Sequence, residues 1–245
     1  MNFIRKIVNS YSEEDAQLYY ELKNLLNFSP RKINKYKKAF THRSIKITDS
    51  KGIPINYERL EFLGDSILGS VIAAYLYKKV PEGSEGYLTQ MRSKIVSRKH
   101  LNELGKDLNL IRFVKSNIDQ SKVGDNIHGN IFEALIGAIY LDKGYKSCQI
   151  FIRKNVILPY VDIEKLEGKI TSYKGLIIEW CQKKKKKYSF HTYEDSGNET
   201  VKHFSVKICI DGEQIAKGRA TSKKKAEEQA SKRVYFAFQK QINLT

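Results

Sequence analysis

Cysteine is scarce in this chain: Cys148, Cys181 and Cys209 are the only three among 245 residues, far apart and without a Cys-x-x-Cys pair. An odd, scattered set of this kind excludes a disulfide framework and a cysteine-held zinc site, and fits reduced thiols in a reducing compartment. Long apolar runs are missing as well. The two most apolar stretches, 67–77 and 131–141, are too short to span a bilayer, and the opening MNFIRKIVNS lacks the apolar core of a secretory signal. These absences predict a cytoplasmic protein with no membrane association.

Acidic residues are also in deficit, with 27 Asp and Glu against 44 Lys and Arg, a net charge of +17. Such a field draws polyanions through counterion release and steered encounter, which makes nucleic acid the leading partner. Charge reports only sign, so anionic lipid and acidic proteins stay open at this point. The excess is uneven: residues 169–245 hold 17 basic against 8 acidic side chains, and residues 1–168 hold 27 against 19. Within the basic third, the run Lys183 to Lys187 reads as a solvated, phosphate-facing helix end or as a nuclear-localisation-like tract.

A hydrophobic content of 41% with 29% charged and 11% aromatic residues describes an autonomously folding chain, long enough for one large domain and one small one. Helical spacing runs over 14–27, 32–40, 57–79, 87–108, 129–142 and 146–160, with a Gly- and Pro-containing loop at 47–56. After that the period changes. A helix over 173–186 gives way to alternating segments at 188–193, 202–210 and 213–220, with Asp211-Gly212 as a hairpin turn, and helical spacing returns over 222–239. The expected architecture is an all-α domain followed by a small α+β unit of order α-β-β-β-α.

Within YERLEFLGDSILG, Glu58, Glu61 and Asp65 stand at i, i+3 and i+7, within about 60° of one another on a helix. Leu60, Leu63, Ile67, Leu68 and Val71 supply the apolar body of that helix, so the acidic stripe belongs in a groove. Like charges so placed repel. A divalent cation with oxygen ligands resolves the conflict and could activate water against a phosphodiester; salt bridges to some of the many basic residues would resolve it equally well. Glu133, alone in the apolar GNIFEALIGAIYLD, poses the same choice between a metal and an Arg or Lys partner.

The strings FTHRS (40–44), YERLEFLGDSIL (57–68), EGYLTQMRSKIVS (85–97) and FEALIGAIYLD (132–142) resemble, in order and spacing, the successive motifs of the ribonuclease III catalytic domain. This resemblance, extending from about residue 18 to 160, implies an endoribonuclease that cuts double-stranded RNA by divalent-metal-dependent hydrolysis, processing ribosomal RNA precursors and other structured RNAs. It implies Mg²⁺ as cofactor, with Mn²⁺ as substitute, and a homodimer formed through the catalytic domain. By the same resemblance Glu61, Asp65, Asn130 and Glu133 are metal ligands, Asp65 and Glu133 being the catalytic pair, and Glu58 and Glu85 are supporting acidic positions.

One departure stands out: the family has Asp where this chain has Asn130. An amide offers a carbonyl oxygen but no charge. A unit charge about 4 Å from a cation is worth about 4 kcal/mol per cation charge at an effective dielectric near 20, before desolvation is subtracted. Weaker metal binding or a stronger need for Mn²⁺ follows, and the alternative is a catalytically weakened or silent RNA-binding protein of the same fold.

The C-terminal unit resembles a double-stranded RNA-binding domain, which reads A-form shape across roughly 16 base pairs. Ser222, Lys223 and Lys224 open its last helix, where backbone N–H groups already favour phosphate. Glu179, Gln182, Thr200 and Lys202 match further RNA-binding positions. Ile178 stands where Gln is common, and Asn198 and Thr200 replace the family's Pro and His, so weaker or altered duplex binding is expected. Trp180 reads as a packing residue, and His42 and His100 as structural or solvated. The implied layout is an N-terminal extension over 1–17, a catalytic domain over 18–162, a linker over 163–170 and an RNA-binding domain over 171–241.

Overall fold

The computed structural model describes residues 11–118, 124–167, 170, 172–195 and 201–242. They fall into two compact units divided between Glu167 and Gly168.

Among its described residues the first unit is helical. Helix α1 (Glu13–Leu26) starts at Ser12, whose hydroxyl accepts the Asp15 N–H, and stops at Asn27 in the left-handed region. Helix α2 (Ile33–Ala39) is anchored at its start by Asp142, whose carboxylate accepts the backbone N–H groups of Arg31 and Lys32 and the Tyr36 hydroxyl. A single helical turn (Arg43–Ile45) and the 47–56 loop lead into α3 (Glu58–Lys79). Where the periodicity predicts one helix over 87–108, the chain makes two, α4 (Glu85–Ile95) and α5 (Arg98–Asp107). Val96 and Ser97 separate them. Ser97 has extended backbone angles and re-aims the second helix, a change of direction that leaves the hydrophobic spacing undisturbed.

Helix α6 (Ile127–Lys143) is the centre of the unit: Ile131, Phe132, Ala134, Leu135, Ile136, Ala138 and Ile139 are all fully buried. It packs most extensively on α3 and next on α5. The last long helix is less regular than its spacing suggests. It runs as α7 (Tyr145–Ile152), a π-helical turn (Arg153–Ile157) and one final α turn (Leu158–Tyr160). Residues 163–167 of the expected linker form a further short helix, α8 (Ile163–Glu167), with Leu166 buried and the buried Lys94 ammonium donating to the carbonyls of Leu166 and Glu167.

By length and composition alone α3 could cross a bilayer, with 22 residues and a mean hydropathy of 1.3 in its most apolar window, more than the 67–77 stretch suggests. Its acidic stripe and its packing along α6 give it a different use, as a core helix.

The second unit is an antiparallel sheet of β1 (Tyr188–Glu194), β2 (Phe204–Ile210) and β3 (Glu213–Ala220) in the order β1-β2-β3. Two helices cover it, α9 (Tyr173–Lys183) and α10 (Lys223–Ile242), the latter kinked at Phe238. The hairpin turn falls at Asp211 and Gly212, both at positive φ, as a tight β2–β3 connection requires. Gly218 lets α10 approach β3 closely: a Cβ there would stand 2.5 Å from the Ala226 carbonyl oxygen. Trp180 is buried against Phe238, at 5.2 Å between ring centroids. Cys148 and Cys181 are buried free thiols and Cys209 is half-buried.

Candidate active site and nucleic-acid interface

Two glycines set the geometry of the acidic cluster. Gly64, between Glu61 and Asp65, packs so closely on α6 that a Cβ would lie 1.7 Å from the Glu133 carbonyl oxygen. Gly137, one helical turn beyond Glu133, is matched to α3 in the same way, with a virtual Cβ 2.3 Å from the Leu60 carbonyl oxygen. Backbone-to-backbone contact at this crossing places the carboxylates of α3 beside the one on α6. Without it a pair of Leu-lined helices would stand 8–10 Å apart.

A cleft of about 540 Å³ opens there, lined by Glu58, Glu61, Phe62, Asp65, Val96, Arg98, Leu101, Gly129, Asn130 and Glu133. Five of the six acidic-site positions expected from the sequence therefore share one cavity. Glu85 does not. It lies at the exposed start of α4 and accepts a hydrogen bond from Thr89 at 3.0 Å.

The electrostatics of the cleft follow from its donors. Burial, then the charges of Asp65 and Glu61, push the Glu133 carboxyl up to about 8, with Arg98 opposing. Burial also raises Glu61, opposed chiefly by Arg98, with Glu58 and Asp65 adding to the rise. Glu133 and Glu61 therefore hold their protons more strongly than ordinary carboxyls, as buried acids beside like charges do. Glu58 is better satisfied, accepting from the Asn56 amide at 3.1 Å and standing 3.6 Å from the Arg43 guanidinium. Arg43 belongs to the FTHRS string, whose His42 ring accepts the Ser44 N–H and whose Thr41 carbonyl accepts the Tyr57 N–H at the start of α3. His42 thus caps a turn, and His100, in α5, bonds the Ile95 carbonyl at 2.6 Å.

Asn130 sits amid these groups with two alternative sets of partners, one of which uses a donor that a carboxylate lacks. In one orientation its Oδ1 accepts from Arg98 Nη1 at 3.3 Å; rotated by half a turn, its amide donates to Glu61 Oε1 at 3.2 Å and to the Asn126 carbonyl at 3.1 Å. Arg98 is absent from the sequence-based site. Its signal was weak, one basic residue of 44, at the start of a helix whose direction the periodicity misjudged.

Among the described residues no three His, Cys, Asp or Glu side chains form a ready-made metal cage. Magnesium does not need one, because it keeps several waters and is held by one or two carboxylates together with substrate phosphate. Four carboxylates and a side-chain amide around one cleft, with the Glu133 carboxyl pushed up to about 8 by burial and by its acidic neighbours, fit such an ion.

In the second unit, Ser222 caps α10 by accepting the Lys225 N–H at 3.3 Å, and Lys223 and Lys224 are exposed on its first turn. The Lys223 ammonium lies 5.7 Å from the Phe204 ring. Glu179 and Gln182 are exposed on α9, Glu179 pairing with Lys183 at 3.3 Å. Lys202 pairs with Glu194 at 2.8 Å. Thr200 lies outside the described residues. The lysine run is only partly a helix end: Lys183 closes α9, Lys185 turns the chain at φ 54°, and Lys186 pairs with Asp211 at 2.8 Å.

Comparison with known proteins agrees with this division. Residues 33–160 match the Ribonuclease-III-like family, and residues 173–235 the Double-stranded RNA binding motif. Ribonuclease 3 of Zunongwangia profunda is 64% identical over 243 residues, covering 99% of this chain and all of the relative. Ribonuclease 3 of Flavobacterium psychrophilum is 59% identical over 244 residues, 99% of each chain. Among solved structures, the nuclease domain of ribonuclease III from Campylobacter jejuni, described for flexibility in a region involved in dimer formation, superposes with a TM-score of 0.51 at 29% identity, over 57% of this chain and 96% of that one.

Proposed function

This chain belongs to the ribonuclease III family, a family of metal-dependent nucleases, and on that premise we propose that its double-stranded RNA endonuclease activity resides in the cleft between α3 and α6. The observation that carries the assignment is the convergence of Glu61, Asp65 and Glu133 from two helices on that cleft, where burial and the charges of Asp65 and Glu61 raise the Glu133 carboxyl.

Glu61, Asp65 and Glu133 are the residues to hold Mg²⁺, or Mn²⁺ in its place, with the Asn130 carbonyl as a neutral fourth group. The bound ion supplies charge stabilisation at the phosphodiester and a water of lowered pKa. Glu133 must give up its proton before it can serve, so its raised pKa makes it both a ligand and a source of pH dependence. Asn56 and Arg43 orient Glu58 at the rim of the cleft. Asn130 subtracts one negative charge from the family pattern, which predicts weaker Mg²⁺ affinity and a stronger response to Mn²⁺.

Duplex RNA is bound by the second unit, over 171–241, through the exposed first turn of α10 (Ser222, Lys223, Lys224), the outer face of α9 (Glu179, Gln182) and the segment carrying Thr200 and Lys202. The nuclease unit, over 18–162, acts as a homodimer. Phe62 is 79% exposed and Tyr77 73% exposed on α3, and a second cleft of about 670 Å³ is lined by Leu60, Phe62, Leu63 and Leu141 together with Lys35, Lys38, Glu58 and Arg59, a mixed apolar and charged surface suited to an isologous contact. Cytoplasmic ribosomal RNA precursors and structured messenger RNAs are the substrates this reading implies.

The test is cleavage of a long RNA duplex in Mg²⁺ and in Mn²⁺ by the parent chain and by Glu133→Gln, with end mapping of products. Cleavage to 5′-phosphate ends that disappears in Glu133→Gln while duplex binding persists supports the assignment. Undiminished cleavage by that variant removes Glu133 from the site.

A further inference from the structure

The cleft contains one group that neither the acidic motif nor a metal site calls for, the Arg98 guanidinium. It lines the cavity from the first residue of α5, is solvent-exposed at the rim, and has its Nη1 3.3 Å from the Asn130 side-chain amide, whose Oδ1 accepts from it in one of that amide's two orientations. It is close enough to oppose the raised pKa values of both Glu61 and Glu133, yet within the described residues it forms no ion pair with any carboxylate. An arginine next to three acids would ordinarily close onto one of them. Here a neutral amide stands beside it instead, and most of its five donors are left for another acceptor.

We infer that Arg98 is a substrate-contacting residue of the cleavage site: beside the neutral Asn130 and unpaired with any carboxylate of the described residues, its guanidinium takes a non-bridging oxygen of the phosphodiester lying in the cleft. The inference rests on the cleft being the nuclease site. Charge counting explains why Asn130 and Arg98 belong together. With Glu58 paired to Arg43, the remaining Glu61, Asp65 and Glu133 with Arg98 total −2 when fully ionised, the charge that one divalent cation neutralises. A carboxylate at position 130 would capture the guanidinium in an ion pair and withdraw it from RNA, whereas the neutral amide leaves its charge free for phosphate. The departure at 130 is then half of a two-residue arrangement, in which a fixed cation does part of the phosphate's electrostatic stabilisation that a more acidic site would leave to metal.

The consequence is a pair of effects with opposite sign, which loss of structure would not produce. In Arg98→Ala, kcat/KM on duplex RNA at saturating Mn²⁺ falls by on the order of tenfold to a hundredfold, the worth of a hydrogen bond to a charged group. Mn²⁺ affinity of the RNA-free full chain, measured by calorimetry, rises, because a repelling cation has gone. Arg98→Lys keeps the parent's Mn²⁺ affinity and recovers part of the lost kcat/KM, since a point charge replaces a planar fork. Asn130→Asp tightens Mn²⁺ more in the Arg98→Ala background than beside Arg98, because only there is the new carboxylate free of an ion pair.

Unchanged kcat/KM in Arg98→Ala overturns the inference, as does a joint loss of Mn²⁺ and RNA affinity with a lowered melting temperature, which would make Arg98 a structural residue. So does strict additivity of the two substitutions in Mn²⁺ binding. Should the parent chain fail to cleave in either metal, the site assignment is what fails, and the Mn²⁺ calorimetry still reports on Arg98.

Discussion

A single carboxyl records how the cleft is built. Glu133 has a folded-state pKa of about 8 against an ordinary 4.5, so between these values the folded chain binds more protons than the unfolded one. Stability therefore falls as pH rises through that window, and below 4.5 the group has no effect. Scanning calorimetry of the chain in chelator is expected to show the melting temperature declining between pH 5 and 8, with a shallower decline in Glu133→Gln; identical slopes would mean that Glu133 ionises normally. At neutral pH, Mn²⁺ uptake should release close to one proton per site, read from the dependence of the binding enthalpy on buffer. Residue identity made Glu133 visible, since a lone Glu in GNIFEALIGAIYLD needs a partner, but nothing in that string says that its partners are two carboxylates on another helix. Arg98 was illegible for the same reason: whether a surface Arg faces solvent or a cleft depends on where its helix points.

Helices α3 and α6 are the elements that make the site, and their crossing is decided by what is missing from two side chains. Gly64→Ala places a methyl group on the Glu133 carbonyl, and overpacking of this kind costs about 1–3 kcal/mol. The expected result is a lower urea midpoint together with weakened Mn²⁺ binding, because Asp65 and Glu61 move away from Glu133. Gly86→Ala in α4 meets nothing within 4 Å and is expected to stabilise by roughly 0.5–1 kcal/mol. Equal effects of the two substitutions would show that the crossing is not tightly matched. Hydrophobic spacing made most helices readable, and the β-hairpin was readable from Asp211-Gly212. It missed the break at Val96 and Ser97 and the π-turn at Arg153–Ile157, because apolar residues continue in register through both while only the backbone changes direction.

The whole molecule combines a chain-wide positive charge with exposed aromatic side chains on the nuclease unit, and the two are suited to different partners. The charge of +17 addresses RNA. Phe62, 79% exposed on the helix that carries the carboxylates, is the side chain we propose for contact with a second copy of the chain. Burying one such side chain is worth about 1.5–3 kcal/mol, and an isologous interface buries two. Phe62→Asp is therefore expected to raise the dimer dissociation constant by on the order of a hundredfold or more in sedimentation equilibrium, with cleavage reduced in parallel. A dimer of undiminished stability would place the interface elsewhere.

The sequence by itself determined what is local or compositional: the sign and uneven placement of charge, an acidic stripe at i, i+3 and i+7, a switch of period from 3.6 to 2 near residue 188, and motif strings specific enough to indicate the family. Tertiary structure alone decided which acids meet, that Glu85 stands apart from them, that Glu133 keeps its proton, and that Arg98 enters the cleft beside Asn130. The physical reason is that periodicity along a chain orients a side chain only about its own helix axis. Distances between helices depend on the volumes packed at their crossing, here on Gly64 and Gly137, and a carboxyl's pKa depends on those distances.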